Sequence, residues 1–416
     1  MEEIIDVLKN MASTGQPPQE GCSKLGVGYD SEFAKLKKEY IEDQFRKGKS
    51  TEKFVIGPYG AGKTHFLRQF IEVSKACGCA TAEIQLSKAI DITAQLIVYK
   101  EVVNCLKVPG QNKFGMEALL RCCIDDINRK SPDPNSGRFL IDTWIAGLAA
   151  SDLADHRYKR VLILTIKAFV DSHNELSDAG IRWLEGDVSN RHICKILDRE
   201  SPIPSAEQNL FGQKALFCLC QFIRYSGFKG TIVAYDQADE AVDVGKKKKD
   251  QILSMLRTES DARRQLSNNN ASAFFMYAFT PPIIQQMNNY PALQQRIAEP
   301  DPKRRFFDGN VYSPMIDLQQ PYQENNTSLI FLQKIGERLV DLFYEAYGNK
   351  IEKSREDLLK ECYDWADEID VKDQSIQKRR DMVKLTCSRL IQLYETSEGA
   401  PPSLPNAITS SMEDEV

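Results

Sequence analysis

The segment with the clearest chemical capacity is GPYGAGKTH, residues 57–65. It fits the pattern GxxxxGK[ST], in which glycines let successive backbone N–H groups turn towards phosphate oxygens. Lys63 is then predicted to reach the β- and γ-phosphates of ATP, and the hydroxyl of Thr64 to bind Mg²⁺. The predicted cofactor-binding residues are Gly57, Pro58, Tyr59, Gly60, Ala61, Gly62, Lys63, Thr64 and His65.

A second segment, TIVAYDQ at residues 231–237, carries a carboxylate at the end of an apolar run. Asp236 is predicted to hold Mg²⁺ together with Thr64. In ATPases with this layout the next residue is commonly Glu, but here it is Gln237, which can orient a water molecule and cannot accept its proton. Asp239 and Glu240 could take over that role, or they could belong to a solvated turn.

Three further features could act on phosphate groups. Thr280 ends the apolar run SAFFMYAFT and is predicted to contact the γ-phosphate or the attacking water, unless it only terminates a strand. Arg296 is predicted to reach the nucleotide of a neighbouring subunit, with Arg304 and Arg305 as alternatives. The lysine run at 245–250 either contacts a nucleic-acid backbone or belongs to a solvated loop.

The pattern around these residues predicts the elements that position them. Strands are expected at 53–57, 80–87, 230–236 and 272–280, with a further short strand near 311–318. Residues from about 92 to 229 have helical periodicity and form a large insertion, and three more helices follow from 326. The expected fold is therefore an α/β P-loop fold, a parallel sheet with helices on both faces and a C-terminal helical lid. The predicted divisions are an N-terminal arm (1–25), an ATPase domain (26–320), a lid (321–396) and a disordered acidic tail (397–416).

Composition limits the class of protein. The chain has 416 residues, a net charge of −5, and 42% apolar residues, which are values typical of a globular protein. Eleven cysteines without a CxxC pair or a leader-like N-terminus predict reduced thiols and a cytoplasmic location. No apolar stretch reaches the length of a membrane span, so no membrane association is expected.

The chain resembles the ATP-binding proteins of BREX phage-defence loci, the BrxC/BrxD-type P-loop family. The likeness rests on GPYGAGKT, on IRWLEGD (181–187), on GFKG (227–230) before TIVAYD, and on YPALQQRI (290–297). It implies an ATPase of the AAA+ class, related in layout to origin-recognition proteins, that serves antiviral defence. By this resemblance, residues 57–64 bind ATP, Asp236 serves Mg²⁺, and subunits interact at the nucleotide. The resemblance thus implies a homo-oligomer or other defence-system proteins as partners.

The leading hypothesis is an ATPase that couples binding and hydrolysis of Mg-ATP to assembly or to engagement of a partner or DNA. Gln237 departs from the Asp-Glu pattern of the family, so the chain is either naturally weakened or carries a Glu→Gln change that traps ATP, and we favour the second. One alternative is a non-hydrolysing switch or scaffold that recruits a nuclease, methylase or helicase. A small-molecule kinase is a further alternative, and the basic helical segment 377–390 could bind DNA.

Overall fold

The computed structural model describes residues 4–86, 90–197, 200–237, 253–258, 260–262, 270–288, 290–297, 304–319, 328–372 and 378–398. It shows an α/β chain with a five-stranded parallel sheet flanked by helices, which confirms the α/β class and the parallel sheet of the predicted fold. The strands are β1 (Thr51–Ile56), β2 (Ala80–Gln85), β3 (Thr231–Asp236), β4 (Ala273–Phe279) and β5 (Met315–Asp317). Their order in the sheet is β2-β3-β4-β1-β5.

The chain divides into two compact units. The first unit comprises Met1–Lys35, Val55–Glu72 and Asp301–Val416, and the second comprises Leu36–Phe54 and Val73–Pro300. The end of β1 and the segment that follows it belong to the first unit. The remainder of β1 belongs to the second unit together with β2, β3 and β4.

In the second unit, apolar strands form the centre of the sheet. β2 pairs in parallel with β3, with Gln85 opposite Asp236, and β3 pairs in parallel with β4, with Tyr235 opposite Tyr277. Every residue of β3 and of β4 is buried, as expected for strands covered on both faces. The Tyr235 and Tyr277 rings stack with their centroids 4.7 Å apart, and this contact stabilises the carboxyl end of β3.

Helices fill the long segment between β2 and β3. They are α5 (Gln95–Asn104), α6 (Gly115–Lys130), α7 (Pro134–Ala150), α8 (His156–Val170), α9 (Asn174–Leu184), α10 (Arg191–Ile196) and α11 (Gln208–Tyr225). After β3 come α12 (253–258 and 260–262), α13 (Pro281–Asn288) and α14 (Pro291–Ile297). The large helical insertion expected from the sequence is thus present as seven helices among the described residues.

The IRWLEGD segment has a packing role within this insertion. The buried Tyr99 hydroxyl donates a hydrogen bond to the Leu184 carbonyl, and the Glu185 carboxylate accepts one from the Met116 N–H at 3.3 Å. Gly186 has φ of +107°, a conformation that favours glycine. Burial raises the pKa of Glu185, while the Met116 hydrogen bond lowers it and the charges of Glu117 and Asp187 raise it further.

The first unit contains a layer of four helices that share one apolar core. They are α1 (Ile4–Thr14), α15 (Ser328–Tyr347), α16 (Arg355–Lys372) and α17 (Lys378–Ser397), and we call them the helical layer. Ile5, Leu8 and Met11 of α1 are buried among Leu339, Phe343, Leu358, Cys387, Leu390 and other apolar residues of the remaining three helices. The first unit also contains the short helices α2 (Cys22–Leu25) and most of α3 (Asp30–Leu36), and the first ten residues of α4 (Lys63–Ala76).

Candidate functional site

The glycine-rich loop connects β1 to α4 in the way the sequence predicts. β1 ends at Ile56 and α4 begins at Lys63, so the loop comprises residues 57–62. Gly60 and Gly62 have φ of +81° and +88°, which side chains with a Cβ rarely adopt. A Cβ at Gly57 would stand 2.8 Å from the Cβ of Ala61, so the two ends of the loop approach closely. This is the compact backbone turn that a phosphate-binding nest requires.

The Lys63 side chain folds back over this loop. Its Nζ donates to the carbonyls of Gly57 at 2.8 Å and Pro58 at 3.1 Å, and it lies 5.3 Å from the centroid of the Tyr59 ring. Only 9% of Lys63 is exposed, whereas Tyr59 is 61% exposed. The loop therefore holds one positive charge at the start of α4, where the positive end of the helix dipole also favours an anion.

Thr64 and His65 occupy the first turn of α4 but have different surroundings. Thr64 is half-buried beside Lys63, where its hydroxyl is a suitable ligand for Mg²⁺. His65 lies against the N-terminal segment: burial lowers its pKa to about 4, although Glu72 and a hydrogen bond with the Cys22 backbone raise it. Its Nε2 has no hydrogen-bond partner in the described part of the chain. At neutral pH His65 therefore carries no charge towards a phosphate group.

A second cation, not identified as a site residue from the sequence, contacts the same loop. Nη1 of Arg379, near the start of α17, donates to the Ala61 carbonyl at 2.5 Å and to the Tyr29 hydroxyl at 3.2 Å. Nη2 donates to the Leu318 carbonyl at 3.1 Å, and the guanidinium lies 4.3 Å from the centroid of the Phe331 ring. Arg379 and Ala61 are 318 residues apart. The basic character of segment 377–390 is the signal in the sequence for this cation, and the same segment is the one for which DNA binding is a hypothesis.

The predicted metal and water-orienting residues lie at the carboxyl end of β3. Asp236 is the last residue of the strand and is 2% exposed. Gln237 follows with φ of +54°, and its N–H donates to Oδ1 of Asp236 at 2.9 Å. This left-handed residue turns the chain sharply directly after the carboxylate, a conformation that often marks functional sites.

The structure describes only some of the other predicted site residues. Thr280, 7% exposed, stands between β4 and α13, and its carbonyl accepts a hydrogen bond from the Ile283 N–H. Arg296 lies on α14, but its side chain is outside the described residues. Arg304 and Arg305 are exposed and bind within their own loop at Asp308. Asp239, Glu240 and the lysine run at 245–250 lie outside the described residues.

Comparison with family models identifies the chain. The model of the BREX system ATP-binding proteins BrxC/D matches residues 1–396. The chain belongs to this family. The resemblance inferred from the sequence is therefore confirmed, and the loop at 57–62 with Lys63 is the feature of the structure that suits ATP binding best.

Other comparisons add no relatives. Neither the curated proteins nor the solved structures gave a match to the chain. Among the described residues, no helix is long and apolar enough to cross a membrane. The same residues contain no cluster of three or more His, Cys, Asp or Glu side chains that could hold a metal ion by themselves. Mg²⁺ is usually held by one or two protein groups together with phosphate oxygens and water, so it does not require such a cluster.

Proposed function

We propose that the chain is an AAA+-type ATP-binding protein of a BREX defence system that holds Mg-ATP on residues 57–64. The observation that supports this best is the conformation of the loop, with two glycines in the left-handed region and the Lys63 ammonium folded over its carbonyls. A triphosphate offers its oxygens to the same donors, so Lys63 can exchange the carbonyls of Gly57 and Pro58 for β- and γ-phosphate oxygens.

Two of the remaining assigned residues lie on neighbouring strands. β3 pairs with β4 in parallel in the second unit, so Asp236, at the end of β3, and Thr280, directly after β4, lie at the same edge of the sheet. From the motif pattern we assign Asp236 and the hydroxyl of Thr64 as ligands of Mg²⁺, and Thr280 as a contact of the γ-phosphate or the attacking water. Bound Mg²⁺ would neutralise charge on the phosphates.

Gln237 determines how fast such a chain hydrolyses ATP. Its amide can hold a water molecule by hydrogen bonds, but it has no lone pair basic enough to take a proton from that water. The chain in this form is thus an ATPase slowed at the chemical step, and it stays loaded with nucleotide for longer. A long-lived ATP state suits a protein whose bound nucleotide drives assembly or engagement of a partner or DNA.

The alternative is a switch or scaffold that binds ATP and never hydrolyses it. One observation favours it: Gln237 itself, if it is the residue that the gene encodes. In that case no Glu was ever present to act as a base, and recruitment of a nuclease, methylase or helicase would depend on binding alone. The genomic coding sequence distinguishes a native Gln codon from an introduced change.

The experiment measures ATP affinity by calorimetry and phosphate release with Mg²⁺ for the chain and for Gln237→Glu and Lys63→Ala. Lys75→Ala, at the last turn of the same helix α4, is the matched control for loss of a lysine. We expect Lys63→Ala to abolish binding, the control to bind normally, and Gln237→Glu to raise turnover by about a hundredfold, as general-base catalysis contributes 10²–10⁴-fold. Binding without turnover in either form would favour the scaffold, and absence of ATP binding by the unaltered chain would refute both functions.

We further propose that Arg296 acts on the nucleotide of a neighbouring subunit in a homo-oligomer. The test uses the Gln237→Glu background and mixes chains that carry Lys63→Ala with chains that carry Arg296→Ala. A trans-acting arginine predicts that each variant alone is inactive and that the mixture regains part of the phosphate release. If the Arg296→Ala chains hydrolyse ATP normally by themselves, the proposal fails.

A further inference from the structure

Helix α4 has a polar face that contacts the N-terminal segment of the chain. His65, Arg68, Gln69 and Glu72 have the spacing i, i+3, i+4 and i+7, which places them on one side of the helix. Arg68 and Gln69 are only 3% and 2% exposed. Arg68 binds main-chain carbonyls of residues 17 and 18, and the Gln69 side chain lies directly beneath Gly26.

The contacts on this face are made mainly with the main chain of the N-terminal segment. Nη1 of Arg68 donates to the Pro17 carbonyl at 2.7 Å and the Pro18 carbonyl at 3.2 Å. The N–H groups of Cys22 and Ser23 each donate to one carboxylate oxygen of Glu72 at 2.8 Å. Hydrogen bonds to charged groups are the stronger class, so these two side chains bind the segment firmly.

Close packing holds the next part of the segment. A Cβ at Gly26 would stand 2.1 Å from Nε2 of Gln69, so the backbone passes directly over that side chain. The next residues wrap the neighbouring face of α4, where the Tyr29 and Phe33 rings lie 5.3 Å and 4.8 Å from the Phe66 ring. Residues 15–33 therefore enclose α4 on two sides.

The other end of the segment is fixed in the helical layer. α1 ends at Thr14, and its buried residues belong to the same apolar core as α15, α16 and α17. The Ile5 N–H also donates to the hydroxyl of Tyr347 at 3.3 Å. Only residues 15 and 16 separate α1 from Pro17, which Arg68 binds, and residues 15–21 separate α1 from Cys22, which Glu72 binds. The connection between the two attachments is therefore short.

We propose that residues 15–23 form a strap that couples the phosphate-binding helix to the helical layer. When phosphates bind at its N-terminus, α4 changes position. The strap moves with α4 because it is bound to Arg68 and Glu72, and this movement displaces α1 and the core around it. Packed helices respond to such shifts as bodies rather than by continuous deformation. Arg68 and Glu72 are positioning residues in this scheme, and the inference rests on the proposed ATP binding.

The test is amide hydrogen exchange of the full chain, measured with and without saturating Mg-ATP. We expect ATP to slow exchange in α1 by about fivefold or more, the lower end of typical couplings between sites. The combined change Arg68→Ala and Glu72→Ala should remove that protection from α1 while the first turn of α4 remains protected. Glu72→Gln keeps one acceptor oxygen and should remove only part of the protection of α1. This milder variant still tests the inference if the double variant does not fold.

Arg355→Gln is the matched control, because it removes a charged contact with Asp341 inside the helical layer without touching the strap. It should leave the response of α1 unchanged. Protection of α1 that persists in the strap variants overturns the inference, as does an ATP-bound native chain in which α1 shows no response. Failure of ATP to protect the first turn of α4 in the native chain would instead refute the proposed function.

Discussion

Replacing Gly57 by Ala tests the geometry of the phosphate-binding loop most directly. The new Cβ would stand 2.8 Å from the Cβ of Ala61 and 3.6 Å from Cγ of Lys63. Carbon atoms in favourable contact are about 3.5–4.0 Å apart, so the loop must open by roughly 1 Å. A misplacement of about 1 Å at a site that depends on orientation costs roughly 10²-fold, equivalent to about 2.7 kcal/mol. We expect Gly57→Ala to weaken ATP binding by about that factor.

The second substitution Ala61→Gly removes the atom with which the new Cβ collides. Ala61→Gly alone should weaken binding about fivefold, because an extra glycine costs roughly 1 kcal/mol in conformational entropy. In the double variant the collision is absent, so we expect ATP affinity to return to that of Ala61→Gly alone. Calorimetric titration with Mg-ATP measures all four forms. Normal affinity in Gly57→Ala, or a double variant as weak as the sum of both effects, would refute the close approach as the reason for this glycine.

Three further outcomes follow from single positions. Arg379→Lys should lower the melting temperature and weaken ATP binding about tenfold. The reason is that one ammonium group cannot replace a guanidinium that binds Ala61, Leu318 and Tyr29 together. Unchanged ATP affinity would contradict this prediction. The raised pKa of Glu185 means that the folded state holds its proton more tightly than the unfolded state, so folding loses stability as pH rises above 4.5. Glu185→Gln should therefore gain in melting temperature relative to the native chain between pH 4.5 and 7, and a constant difference would argue against burial as the cause. Gly230→Ala should greatly reduce the yield of folded protein, because its Cβ would stand 2.3 Å from the Ser272 carbonyl oxygen. At Gly227, by contrast, a Cβ would meet no atom within 4 Å. Gly227→Ala should therefore lower the free energy of unfolding by only about 1–2 kcal/mol, the cost of its left-handed backbone.

The Arg379 contact joins the helical layer to the glycine-rich loop, in addition to the proposed strap on α4. Arg379 binds the loop just before α4, through the Ala61 carbonyl, whereas Arg68 and Glu72 lie within α4 and bind residues 17–23. Both attachments belong to the first unit, which groups the loop and the start of α4 with the C-terminal helices.

The sequence by itself determined the features that depend on short stretches of chain. The spacing of glycines and Lys63 predicted the loop between β1 and α4, and the continuous apolar runs predicted β3 and β4 as buried strands of a parallel sheet. These predictions succeeded because a glycine with positive φ, a helix start and a buried strand are each specified within about ten residues. The family was identifiable for the same reason, since its marks are local segments such as IRWLEGD and GFKG.

Only the tertiary structure decided which distant segments meet. The sequence predicts an N-terminal arm at residues 1–25, but it does not reveal that helix α1 in this segment completes the core formed by α15, α16 and α17. Likewise, the sequence indicates a basic helix at 377–390, but it does not reveal that Arg379 binds the Ala61 carbonyl. The physical reason is that such contacts depend on the packing of whole elements far apart in the chain, and an apolar stripe or a positive charge specifies the kind of partner without specifying which one.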